Sequence, residues 1–297
     1  MLQNFLTEIQ EGNINSLARC ISLIENQAAG SMELLKNLPY SDTPVIGITG
    51  APGAGKSTLV NLLIGLLIKQ QKKIAVLCID PSSPFHHGAF LGDRIRMNKW
   101  ADNPGVYIRS LSSRGSLGGL HPRIFEITDL LKAAPYDYIL IETVGVGQSE
   151  LEIASIADFT VMILSAGFGD EIQALKSGVL EVADLFVVNK ADHPGTKLFI
   201  KNLQSALHMG SKQIEIIETI ANKGIGAEQI LPAIENWLKS FPQKQSLNLV
   251  EKAYRLILAE KMKGIDKSEL SDKIKEVARS DHFNIYGFVY DYLYNRK

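Results

Sequence analysis

The run Gly50-Ala51-Pro52-Gly53-Ala54-Gly55-Lys56-Ser57-Thr58 carries the clearest chemistry in the chain. It matches the pattern G-x-x-x-x-G-K-[ST], follows a short apolar run and leads into an apolar stretch at 59–68 of helical character. Glycines at these places let the backbone turn its N–H groups inward around phosphate oxygens, and the start of the next helix adds positive potential. Lys56 is placed to reach β- and γ-phosphates, and the Ser57 hydroxyl to hold a magnesium ion.

A phosphate loop does not choose a base. Asn189-Lys190-Ala191-Asp192 does, directly after the apolar run 185–188. A carboxylate there can accept from both N1–H and the exocyclic amine of guanine, whereas adenine presents an acceptor at N1 and would leave Asp192 unpaired. Asn189 can tie this loop to the phosphate loop, and the Lys190 stem can cover the base. A second base loop is expected at Thr219-Ile220-Ala221-Asn222, where the N–H of Ala221 can meet guanine O6. The ligands implied are GTP and GDP with Mg2+.

Three acids stand where loops should converge. Asp80 ends one apolar run, Asp93 lies in Leu91-Gly92-Asp93-Arg94, and Glu142 opens Glu142-Thr143-Val144-Gly145-Val146-Gly147-Gln148. Magnesium takes one or two carboxylates besides water and phosphate, so one of the three is expected to act through water. The Gly145 N–H is the natural donor to a γ-phosphate. Many GTPases place Gln just after that glycine to orient water; here Val146 follows and Gln148 comes later. Slow intrinsic hydrolysis, completed by a partner, is the expectation.

These loops need a scaffold, and the pattern supplies one. Apolar, β-branched runs at 45–49, 74–80, 106–109, 138–142, 159–164, 185–189 and 214–219 alternate with segments long enough for crossover helices. The fold class is α/β: a P-loop NTPase with a mainly parallel central sheet, plus N-terminal and C-terminal helical extensions. The boundaries read as 1–41 for the N-terminal helical extension, 42–242 for the nucleotide domain and 243–297 for a C-terminal helical region. In the first, Leu17, Ile21 and Ile24 recur at helical spacing, as do Leu34, Leu35 and Leu38; the last ends in an aromatic cluster.

Composition narrows the setting. Of 297 residues, 45% are hydrophobic and 21% charged, with a formal net charge of −1, so no general pull toward nucleic acid or an anionic membrane is expected. The two cysteines, Cys20 and Cys78, lie far apart, which suits a reducing compartment. The first eleven residues lack a basic head before an apolar run, and the apolar stretch 59–68 is too short to span a bilayer. A cytoplasmic location is expected.

The phosphate loop, the run Asp80-Pro81-Ser82-Ser83-Pro84-Phe85, the segments 91–97 and 141–150, the set Gly169-Asp170-Glu171, Gln173, Lys176 and Gly178, and the base loop 187–192 appear in one order. Together, over roughly residues 10–240, the chain resembles the methylmalonyl-CoA mutase-associated GTPases, a family also described as arginine/ornithine transport ATPases or kinases. The resemblance implies a GTP-hydrolysing chaperone that gates cofactor loading and protection of a cobalamin-dependent acyl-CoA mutase. It carries phosphate and metal roles onto Lys56, Ser57, Asp80, Asp93 and Glu142, and a relay to the mutase onto the 167–171 loop with Lys176. It also implies a homodimer made by the C-terminal region, although that region departs from the family pattern. His86-His87 stands where the family has small or hydroxyl residues; adjacent histidines alone do not complete a metal site. Two other readings stand beside the first: a metallochaperone GTPase, and a small-molecule kinase or ATPase linked to amino-acid transport.

Overall fold

The computed structural model describes residues 2–80, 98–114, 119–145, 149–166, 179–208, 214–240, 244–262, 265, 267–277 and 284–294. The chain forms two compact units, Met1–Leu249 and Val250–Lys297.

The first unit is built on seven parallel strands among the described residues. They are β1 (Val45–Gly50), β2 (Ile74–Asp80), β3 (Val106–Ser112), β4 (Tyr138–Glu142), β5 (Phe159–Ser165), β6 (Leu185–Asn189) and β7 (Glu215–Glu218). Their order in the sheet is β3-β2-β4-β1-β5-β6-β7. β1, β2, β4 and β6 are buried along their whole length, as expected of apolar runs covered on both faces. The edge strands β3 and β7 are only partly buried. After β1 the chain builds one flank of the sheet through β4, then crosses to the other flank with β5. The carboxyl ends of the central strands beside that reversal are where a parallel sheet offers a ligand crevice.

Successive strand residues alternate between faces, which divides the core. Ile46, Ile48, Val76, Leu140, Val161 and Ile163 meet α4 (Lys56–Lys69) through Leu59, Val60, Leu63, Ile64 and Leu67. Val45, Ala75, Leu77, Ile79, Ile139 and Ile141 meet the opposite layer. That layer contains α5 (Ile124–Lys132) and the N-terminal helices α1 (Leu2–Gln10), α2 (Ile14–Glu25) and α3 (Ser31–Lys36). Leu17, Ile21, Ile24 and Leu34 are all but fully buried there. Each such side chain contributes about 1.5–3 kcal/mol relative to exposure. The N-terminal segment is thus an integral layer of the first unit rather than an appended arm. Asn13 caps α2, accepting from the N–H groups of Asn15 and Ser16 at 3.0 and 3.1 Å.

Helices α6 (Ser149–Ile153), α7 (Val179–Val182), α8 (Thr196–His208) and α9 (Ile230–Ser240) complete the described α-helices of this unit. Helix α10 (Lys244–Lys261) carries the boundary between the two units within it. The second unit continues with α11 (Lys267–Val277) and α12 (Ile285–Tyr294). No described helix is long and apolar enough to cross a membrane.

Two buried acids serve the sheet from the end opposite the crevice. Asp158 accepts from the Val45 N–H at 2.8 Å, and Asp184 from the Thr160 N–H at 3.0 Å. His121, 1% exposed, accepts the Arg123 N–H on Nδ1 at 3.0 Å, so its neutral form carries the proton on Nε2. Burial lowers its pKa from 6.5 to about 4; among the charges near it, Glu25 opposes that shift while Arg114 and Arg123 add to it. Below pH 6.5 the unfolded chain takes up a proton that the folded chain refuses. This group's stability contribution is therefore complete above 6.5 and is lost as pH falls toward 4. In thermal melts between pH 7 and 4.5, His121→Asn, which keeps an acceptor for Arg123, should lose fewer degrees than the parent. An equal loss in both proteins would contradict the assignment.

Candidate functional site

β1 runs directly into the phosphate loop, and the loop into α4, whose first residue is Lys56. Gly55 precedes the helix at φ +104°, and a Cβ there would overlap Asn189 Nδ2. Only glycine permits this approach of the base loop to the phosphate loop. Asn189 Nδ2 then donates to the Ala54 carbonyl at 2.8 Å, while its Oδ1 accepts from the Thr219 hydroxyl at 3.1 Å and the Ala221 N–H at 3.0 Å. One buried amide thus joins the phosphate loop and both base loops.

A cavity of about 880 Å³ opens above these loops. Its wall includes Pro52, Gly53, Gly55, Lys56, Ser57 and Thr58 from the phosphate loop, with Glu142 at the end of β4 and Thr143 and Val144 after it. Asn189, Lys190, Asp192, Ala221 and Asn222 from the base loops line it too, as do Cys78, Ile79, His193 and Pro194. Segments spread between residues 52 and 222 thus converge on one volume of the size that small ligands fill.

Within it, Lys56 Nζ curls over its own loop, donating to the Gly50 and Ala51 carbonyls at 2.9 and 3.1 Å. Ser57 Oγ donates to Glu142 Oε1 at 2.6 Å, and both residues are buried. Asp80, with no exposure, ends the strand next to Glu142's, where Cys78 pairs with Glu142 in register. A hydroxyl and carboxylates of this kind are the hard oxygen donors that magnesium takes, so the residues fit the ion. The Thr49 and Thr143 hydroxyls share a buried hydrogen bond of 2.8 Å, which ties the start of the Gly145 loop to the end of β1. Gly145 has φ +81°, and a Cβ there would overlap the Gly50 carbonyl and Lys56 Nζ.

At the base end, Lys190 adopts φ +57°, and Lys223 Nζ donates to Asp192 Oδ2 at 3.0 Å. The Lys223 hydrogen bond lowers the Asp192 pKa. The second base loop is expected to offer the Ala221 N–H to guanine O6; here that N–H donates to Asn189 Oδ1 at 3.0 Å, and Ala221 and Asn222 both line the cavity. Sequence reasoning missed Thr49 and Lys223, whose roles depend on contacts across 94 and 31 residues.

Asp93, Lys176, His86, His87, Val146, Gln148 and the 167–171 loop lie outside the described residues.

Strand, phosphate loop, helix and converging base loops define a P-loop GTPase. The family model for "Methylmalonyl Co-A mutase-associated GTPase MeaB" matches residues 17–278, and the chain belongs to that family. A protein of Pyrococcus horikoshii assigned as a GTPase is 37% identical over 283 residues, 92% of this chain and 88% of its own. GTPase ArgK of Escherichia coli is 41% identical over 217 residues, 70% of this chain and 66% of its own. A crystal structure titled LAO/AO transport system kinase superposes with a TM-score of 0.69 at 28% identity, covering 98% of this chain and 95% of its own. The protein accordingly binds guanine nucleotide and hydrolyses GTP.

Proposed function

We propose that this GTPase is a chaperone for a cobalamin-dependent acyl-CoA mutase, gating the loading of its cofactor and protecting the enzyme. The observation that carries the reading is the match to a mutase-associated GTPase family over 17–278, a span that includes every residue of the nucleotide cavity.

Within that reading the residues divide the work. The N–H groups of Gly50, Ala51, Pro52's neighbour Gly53, Ala54, Gly55, Lys56, Ser57 and Thr58 wrap the phosphates, and Lys56 leaves its loop carbonyls to meet the β- and γ-oxygens. Ser57, Glu142, Asp80 and Asp93 would hold magnesium, which supplies charge neutralisation at the phosphates when bound. The Gly145 N–H faces the γ-phosphate, Asp192 reads guanine N1–H and amine, and the second base loop of Ile220, Ala221 and Asn222 meets O6. Lys176 relays nucleotide state to the mutase. The C-terminal region makes a homodimer, a reading supported by exposed apolar residues on its helices, among them Tyr254 and Ile257 on α10 and Tyr286 and Tyr290 on α12. The protein works in the cytoplasm, consistent with free buried cysteines at 20 and 78.

The test is complex formation with a cobalamin-dependent acyl-CoA mutase of the same organism, measured by calorimetry in GDP and in a non-hydrolysable GTP analogue. Binding whose affinity differs between the two nucleotides is expected; absence of binding in both would overturn the chaperone reading.

A further inference from the structure

We propose that Glu25, the last residue of α2, is a positioning residue of the nucleotide site: it grips Arg109 and Arg114 and so holds the 112–114 turn against Asp80. The proposal rests on the reading of Asp80 as a magnesium-side acid.

Asp80 is wholly buried at the end of β2. Its neighbour is β3, with Asp80 paired to Ser112 in register, and the Ser113 N–H donates to the Asp80 carbonyl at 3.0 Å. The backbone of the acid is therefore bonded to the first residue beyond β3. That strand is an edge of the sheet, so among the described residues no outer strand fixes it.

The missing restraint comes from the N-terminal layer. Glu25 Oε2 accepts from Arg109 at 3.0 Å, and Glu25 Oε1 accepts from Arg114 at 3.3 Å. One carboxylate thus brackets the stretch of β3 that runs beside Asp80, holding it once before the strand's end and once after. The Arg114 guanidinium also donates to the Glu25 carbonyl at 3.2 Å and to Asn26 Oδ1 at 3.4 Å, and Arg109 donates to Ser22 Oγ at 3.2 Å. The Arg109–Glu25 bond is part-buried, with side chains 25% and 17% exposed, whereas the Arg114 bonds lie at the surface. The grip is also needed locally. Arg114 sits at φ +48°, a left-handed conformation that a residue with a side chain adopts only when its surroundings impose it. Its own N–H is turned onto Ser112 Oγ at 3.3 Å. Glu25 is in turn rigidly placed, because Ile21 and Ile24 on the same helix are buried in the core.

A carboxylate that merely staples α2 to the sheet would affect stability alone. A positioning residue would also change the response to magnesium. The experiment uses the full chain and follows the affinity of a fluorescent GDP analogue as MgCl2 is raised from an EDTA-treated start, with melting temperature measured in parallel. Glu25→Gln keeps the shape and weakens the grip. It should raise the Mg2+ concentration for half-maximal tightening by about tenfold, the size of effect seen when supporting partners of metal ligands are lost. Affinity in EDTA should stay near the parent value. Arg114→Gly is the second variant. Glycine takes φ +48° freely and leaves the Arg109–Glu25 pair intact, but the turn loses its tether, so the same upward shift is expected. Both variants matching the parent's Mg2+ response, whatever their melting temperatures, would overturn the proposal. A parent protein indifferent to Mg2+ would overturn the magnesium reading of Asp80, and the proposal with it.

Discussion

Asp192→Asn should lower affinity for GTP on the order of 100- to 1,000-fold and raise affinity for XTP in its place. Guanine presents two donors, N1–H and the exocyclic amine, and an ionised carboxylate accepts both. The Lys223 ammonium 3.0 Å from Oδ2 favours the ionised form of that carboxylate. Asparagine offers one acceptor and one donor. It therefore loses a bond to guanine and sets an N–H against the amine. Xanthine carries a carbonyl where guanine carries the amine, so the same amide pairs with it fully. Competition between GTP and XTP for a fluorescent GDP analogue, with parent and variant side by side, measures both changes. A variant that keeps its preference for GTP would place base recognition outside the 189–192 loop.

Gly145→Ala should reduce GTP turnover by about 100-fold or more while leaving GDP binding nearly intact. The backbone at Gly145 has φ +81°, and an added methyl would overlap the Gly50 carbonyl and the Lys56 ammonium. Relief requires the 143–145 segment to back away from the phosphate loop. That withdraws the N–H assigned to the γ-phosphate and crowds the lysine that must reach the same oxygens. GDP lacks the γ-phosphate and uses chiefly the phosphate loop and the base loops, which the 2.8 Å bond from Asn189 to Ala54 holds independently. The comparison is kcat for GTP against Kd for GDP, with a melting curve to confirm folding. Parent-level turnover in this variant would remove Gly145 from the γ-phosphate side.

Most of the scaffold was legible in the sequence because it is repetitive. Ile74–Asp80, Tyr138–Glu142 and Leu185–Asn189 are apolar up to a single polar residue at the end, and the strands formed there have those same bounds. The phosphate loop was legible because its glycines and lysine sit at fixed spacing along the chain. What escaped were contacts between distant segments. Glu25 meets Arg109 and Arg114 across 84 and 89 residues, and Thr49 meets Thr143 across 94. Neither pair carries a local pattern, and any surface glutamate or strand threonine reads the same. The N-terminal helices showed their apolar stripe, but not that it would pack, together with α5, over one face of β1 to β4. The bond from the Ala221 N–H to Asn189, across 32 residues, likewise carries no local signal.

The most direct measurement of the central claim is GTP turnover by the purified protein, alone and with a cobalamin-dependent acyl-CoA mutase of the same organism, with ATP as control. Slow turnover of GTP alone, accelerated several-fold by the mutase and absent with ATP, is the predicted result. GTP turnover that ignores the mutase at concentrations saturating for a complex would contradict the account of a chaperone whose catalytic site a client completes.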